Sequence, residues 1–219
     1  MAEWHKRSKA VLSIPLAVLL FTGHAVASDE LAAQRLGTGN PLAGKLKSAE
    51  ARCQECHGIE GISSDEKIPN HAGQHANYLI KQLTDFQTGA RKHDTMSIMA
   101  EDLSAKDKAD IAAYFASLKP MQGEGGHESP QALQLLVYGD ASRNIPACVS
   151  CHAANLLGKL TPDVIYPRLA GQRRVYLRNQ LVNWKLGERS NSPAGVMQQV
   201  AKTLDDTEID ALANYISGL

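Results

Sequence analysis

An all-α fold in two similar lobes is the prediction for this 219-residue chain, and three observations make it. Apolar residues recur at helical spacing in both halves. A long stretch of the first half returns in the second with its landmarks in the same order. No segment alternates β-branched and polar residues over enough length for a sheet.

In chain order, the first element is an export signal. Lys6, Arg7 and Lys9 form a basic start, Ala10 to Phe21 is an apolar run too short to span a bilayer comfortably, and Ala25-Val26-Ala27 gives the small-x-small cleavage pattern. Cleavage after Ala27 leaves Ser28 as the first mature residue and places the protein in the periplasm. An uncleaved membrane anchor is the alternative; no later apolar stretch has spanning length. Ser28 to about Gly39 reads as a lead-in, with Leu31 to Leu36 offering a turn of helix.

Lys plus Arg and Asp plus Glu number 23 each. Removing the basic signal turns this balance slightly acidic, which argues against a nucleic-acid partner. Aromatic residues are 5% of the chain, so two lobes of about ninety residues would be marginal if built from side chains alone.

Pro41 to Ala51 reads as a short helix, and it leads into Cys53-Gln54-Glu55-Cys56-His57. That pentapeptide returns as Cys148-Val149-Ser150-Cys151-His152, and the two copies use every cysteine in the chain. Thiols at i and i+3 face one porphyrin edge and add to its vinyl groups, and the histidine one turn on reaches the iron. Two covalently bound haem c groups are therefore expected, on Cys53 and Cys56 and on Cys148 and Cys151, with His57 and His152 as iron ligands. A zinc ribbon wants its CxxC pairs roughly 15 to 20 residues apart. A thioredoxin-like pair wants a preceding strand. Two disulfides would be compatible with export but leave the histidines without a purpose. A buried haem in each half also supplies the apolar surface that the composition lacks.

Further on, Pro69-Asn70-His71-Ala72-Gly73-Gln74 matches Pro167-Arg168-Leu169-Ala170-Gly171-Gln172. Tyr78-Leu79 matches Tyr176-Leu177, Gln82-Leu83 matches Gln180-Leu181, and Gly89-Ala90-Arg91 matches Gly187-Glu188-Arg189. Tyr78 to Phe86 forms one apolar helix face, with Gly89 placed to stop it. After a three-residue insertion in the second half, Leu103 matches Leu204, Tyr114 matches Tyr215 and Leu118 matches Leu219. Each closing helix opens on a capping signature, Ser104 with Asp107 and Asp205 with Glu208. Residues 28–122 and 123–219 form the two domains, and Pro120 to Pro130, rich in Gly, is the linker.

The second axial ligand separates electron transfer from catalysis. After His152 there is no further histidine or cysteine, and Met197 is the only methionine. It is the ligand candidate, unless that position is open or held by a weaker group. In the first half Met96 and Met99 compete with His71, His75 and His93. Met96 precedes Leu103 by seven residues as Met197 precedes Leu204, so Met96 is favoured. Met99, opposite Val200, packs beside the ring, and His75, opposite Arg173, faces solvent. A thioether opposite an imidazole raises the reduction potential and suits a one-electron carrier. Pro69 and Pro167 are placed either to accept the proximal imidazole N–H or simply to break the chain before a helix. Tyr78, Tyr176, Arg91 and Arg189 are candidates for the haem propionates, with helix packing and solvated surface as the plain alternatives.

Two CxxCH motifs, two P-x-x-A-G-Q segments each followed by Tyr-Leu, Gln-Leu and Gly-x-Arg, and a Met before each closing helix resemble the dihaem cytochrome c4 family over about Gly44 to Leu219. The resemblance implies a tandem pair of class I cytochrome c domains related by a pseudo-twofold, with propionates near the interface. It implies a periplasmic carrier working between quinol:cytochrome c oxidoreductases or dehydrogenases and a terminal oxidase or reductase, with peripheral membrane association compatible. His71 departs from the pattern, where Leu169 and the family have an apolar residue, and so does the short segment between Arg91 and Met96. The competing function is an electron-transfer subunit or catalytic dihaem oxidoreductase of thiosulfate, nitrite or peroxide chemistry, which needs a displaceable ligand. Arg168, Arg173, Arg174, Arg178 and Arg189 against Asp94, Glu101, Asp102, Asp107 and Asp110 further suggest opposite charges at the two ends, steering different partners.

Overall fold

The computed structural model describes Met1 and residues 37–123, 125 and 129–219. The export signal, most of the lead-in and part of the linker lie outside the described residues.

The first lobe begins with α1 (Pro41–Glu50), capped by Asn40, whose Oδ1 accepts the Leu42 and Ala43 N–H groups at 2.9 and 3.1 Å. The short α2 (Cys53–His57) carries the first CxxCH. Next come α3 (Ala76–Thr88), α4 (Asp94–Ala100) and α5 (Ala105–Ser117). α1 lies against α5 at Gly44, where an added Cβ would sit 1.8 Å from the Asp110 carbonyl oxygen. Only glycine permits that approach.

The second lobe repeats the plan with α6 (Pro130–Val137), α7 (Cys148–His152), α8 (Arg174–Leu186), α9 (Val196–Thr203) and α10 (Asp206–Ser217). Both predicted capping boxes form at α5 and α10, and Gly89 and Gly187 close α3 and α8 in the left-handed region. Buried apolar side chains gather in two separate clusters. One centres on Leu79, Ile111, Tyr114 and Phe115, the other on Leu135, Leu177, Ile209 and Leu212.

Two features escape periodicity. α4 and α9, which carry the methionines, are too short to announce themselves in the sequence. A small antiparallel hairpin, β1 (Lys159–Leu160) with β2 (Ile165–Tyr166), sits between His152 and Pro167. That segment is longer than its counterpart, since the histidine and proline are fifteen residues apart here and twelve in the first lobe. The three-residue insertion seen in the sequence falls before Met197, where Pro193–Gly195 adds a 3₁₀ turn.

The start of the linker is built into the interface. The Met121 N–H donates to the Ala72 carbonyl at 3.0 Å and the Gly123 N–H to the Leu219 carbonyl at 2.7 Å. Met121 is fully enclosed. Among the described residues no helix is long and apolar enough to cross a membrane.

Candidate haem sites

α2 and α7 each place a histidine one turn after the first cysteine, and both imidazoles are buried, 6% exposed for His57 and 8% for His152. His57 Nδ1–H donates to the Pro69 carbonyl at 2.9 Å, and His152 Nδ1–H to the Pro167 carbonyl at 3.1 Å. These bonds set the tautomer and leave Nε2 as the free lone pair, the arrangement that orients and strengthens a ligand. Burial pushes both imidazoles below their ordinary pKa, against the opposing pull of the proline carbonyls, which keeps them in the neutral form a metal needs.

None of the four cysteines forms a disulfide, which removes that reading of the motifs. Burial raises the Cys53 thiol and pushes Cys148 up to about 11, so neither is an activated thiolate. Among the described residues no three His, Cys, Asp or Glu side chains gather to hold a bare metal ion.

Met96 and Met197 occupy matching places near the starts of α4 and α9, both part-buried. Their amides are capped: the Met96 N–H donates to His93 Nδ1 at 3.3 Å and the Met197 N–H to Ser192 Oγ at 3.1 Å. His93 is thereby the N-cap of α4, an exposed residue with its Nδ1 engaged. His75 does not face solvent as expected. It sits against the hairpin lobe, where a Cβ on Gly158 would come 2.6 Å from its Nε2. His71 stacks on His57 itself, with ring centroids 4.0 Å apart.

Between the lobes lies a lattice with near-twofold symmetry. Arg91 donates to Gln82 Oε1 at 2.8 Å, Gln180 Oε1 at 2.7 Å and the Tyr176 hydroxyl at 3.2 Å. Arg189 donates to Gln180 Oε1 at 2.7 Å, Gln82 Oε1 at 3.1 Å and the Tyr78 hydroxyl at 3.3 Å. Each guanidinium also covers an aromatic face of its own lobe, Phe86 at 4.7 Å and Trp184 at 4.0 Å. Arg189 is only 5% exposed, and among the described residues neither arginine makes an ion pair with a carboxylate. Enclosed cations satisfied only by neutral groups call for an anion. The indole N–H of Trp184 is likewise buried without an acceptor. Porphyrin carboxylates match this set of donors, and the buried, oriented histidines match the iron.

A family model described as Cytochrome c matches residues 138–219. The chain is 35% identical to cytochrome c4 of Azotobacter vinelandii, over 83% of this chain and 90% of that one. The crystal structure of reduced recombinant cytochrome c4 from Pseudomonas stutzeri superposes with a TM-score of 0.74 at 37% identity, covering 83% of this chain and all of that one. This chain belongs to the cytochrome c4 family. It carries two covalently bound haem c groups, one on each CxxCH motif, and is a dihaem electron carrier rather than an enzyme. A further relative, 34% identical over 76% of this chain and 78% of its own length, is named a thiosulfate dehydrogenase electron acceptor, from Thiomonas intermedia.

In the folded chain Arg173, Arg174, Arg178 and Arg189 of the second half have polar or acidic partners. Arg173 donates across the interface to the Ser63 carbonyl, Arg174 pairs with Glu66 at 3.8 Å, Arg178 pairs with Asp210 at 2.6 Å, and Arg189 lies inside the lattice. On the acidic side Asp107 approaches Lys47 and Asp110 pairs with Lys106. Trp184 and Asn191 were missed in the sequence because Phe86 and His93 stand at the matching positions, so the repeat carried no signal for them. Gln82 and Gln180 were legible as a repeated pair, but not as partners of the arginines.

Proposed function

We propose that the chain is exported with cleavage after Ala27 and works in the periplasm as a one-electron relay, with domains 28–122 and 123–219 each enclosing one haem. His57 with Met96, and His152 with Met197, would hold the two irons. Bound there, each haem would supply one-electron redox chemistry. Pro69 and Pro167 hold the imidazoles in register, and the two methionines would close the irons to a reactant. Where the lobes meet, Arg91 and Arg189 would neutralise the haem propionates and Tyr78 and Tyr176 would donate hydrogen bonds to them.

The observation that carries this reading is the twin geometry of His57 on Pro69 and His152 on Pro167. Such an arrangement is what a matched pair of ligated sites requires. Donors of the class of quinol:cytochrome c oxidoreductases or dehydrogenases, and a terminal oxidase or reductase as acceptor, are the partners. The relative named as a thiosulfate dehydrogenase electron acceptor supports a thiosulfate-oxidising dehydrogenase among the donors.

The test is an alkaline pyridine assay joined to low-temperature spectroscopy of the ferric protein. Two haems per chain, both low-spin and unreactive to cyanide, with the far-red thioether-to-iron band present, are expected. A high-spin or cyanide-binding haem would overturn the ligand assignment.

A further inference from the structure

The two proximal pockets share the proline-held histidine and the turn beside it, and they differ in the side chain laid against that histidine. The His71 N–H donates to the Gly61 carbonyl at 2.8 Å, and the Leu169 N–H to the Leu156 carbonyl at 2.8 Å, so both residues hang from equivalent turns. In the first lobe the His71 ring lies face to face on His57, its plane inclined by 28°. Phe115 closes over it edge-on at 5.3 Å. In the second lobe Leu169 packs among core residues, and His152 instead meets the edge of Tyr166 at 6.1 Å.

We infer that His71 is a positioning residue for the first haem, orienting the His57 imidazole and lowering that haem's reduction potential relative to what an aliphatic neighbour would give. The inference rests on the assignment of His57 as ligand. The bond from Nδ1 to the Pro69 carbonyl fixes one edge of the His57 ring and leaves tilt about that bond. A flat ring against its face removes the tilt, because stacked aromatic rings hold an offset parallel geometry. Oxidation adds a positive charge to the iron. A polar, polarisable ring in van der Waals contact with the ligand stabilises that charge better than hydrocarbon does, so the ferric state gains. Burial, dielectric and hydrogen bonding around an axial ligand are the levers by which a protein sets haem potential; here a single residue applies one of them to one haem only.

Two variants test this at a single fixed pH. H71L copies the second lobe into the first, and L169H copies the first into the second. Each is followed by a haem-resolved potentiometric titration and by electron paramagnetic resonance of the ferric protein. In H71L the first haem's reduced-to-oxidised ratio at a fixed poise is expected to rise by about tenfold, which is ~59 mV for one electron. Its g-values shift, and the second haem stays where it was. In L169H the second haem moves down and the first is unchanged. Variants that carry two haems with unaltered midpoints and g-values would overturn the inference. Should H71L fail to mature, an unmoved second haem in L169H overturns it alone. Failure of the ligand assignment itself shows separately, as a high-spin first haem in the unmodified protein.

Discussion

The side chain of Gln172 pairs with the backbone of Asn70 as a neighbouring strand would. Its Oε1 accepts the Asn70 N–H at 2.7 Å and its Nε2 donates to the Asn70 carbonyl at 2.9 Å. Gln74 does the same for Arg168, at 2.9 Å in both directions. Asn70 and Arg168 each follow the proline whose carbonyl holds the proximal histidine. The clamp between the lobes is thus one residue away from the clamp on each ligand, and the interface and the two sites form one mechanical unit.

Replacing Gln172 with Ala strips both partners from a buried stretch of backbone. Leaving such groups unpaired costs about 1–3 kcal/mol. Equilibrium denaturation of the Q172A holoprotein is expected to show that loss, and electron exchange between the lobes is expected to slow. An unchanged unfolding midpoint would show that the amide contributes nothing to the joint.

M197A is expected to remove the far-red band of the second haem, lower its potential and open it to cyanide, while the first haem is unaffected. M96A does the same to the first haem. M99L, by contrast, keeps both bands, because Met99 has no matching methionine in the second lobe. Visible spectra with and without cyanide decide each case.

Arg143 holds two carboxylates at once, with Nη1 and Nη2 at 3.0 and 2.6 Å from Glu208 and Nε at 2.7 Å from Asp140. Hydrogen bonds from Ser142 and from Arg143 hold Asp140 at about 2, below its ordinary 3.8, and Arg143 lowers Glu208 as well. A carboxylate made more acidic by folding stabilises the native state above its unfolded pKa, and that contribution is lost as pH falls through the folded value. The second lobe should therefore weaken between about pH 3.8 and 2. The stability gap between wild type and R143M is expected to be widest at neutral pH and to narrow across that window, as read by denaturant unfolding at several pH values.

Gly171 stands at φ +76°, and a Cβ there would lie 2.8 Å from backbone atoms of Gln122; Gly73 stands at φ +66°, 2.5 Å from Pro120 Cα. The left-handed conformation alone costs an L-residue about 1–2 kcal/mol, and the clash displaces the linker. G171A is expected to lose at least that much stability and to make the chain near Gln122 more accessible to proteolysis. Protease cleavage at the wild-type rate would show that the linker yields without cost.

Covalent and local rules wrote much of this protein into its sequence. The haem motifs follow from the reach of two thiols and an imidazole on one helical turn. The helix ends follow from Ser104, Asp205, Gly89 and Gly187, whose capping chemistry involves only their near neighbours. Pro69 and Pro167 were legible as a matched pair whose role was open between ligand support and chain breaking, and the folded chain shows both carbonyls on imidazole nitrogens. Tertiary structure alone decided which groups meet across distance. It set Arg91 and Arg189, propionate candidates with solvated surface as the alternative, into an enclosed lattice, drew His75 against the second lobe, and laid His71 on His57. Those contacts join residues far apart in the chain or on different elements; the first two depend on how the two lobes dock, and the third on how the loop before α3 folds back over α2. Spacing along a sequence encodes the period of a helix, not the angle at which one helical lobe meets another.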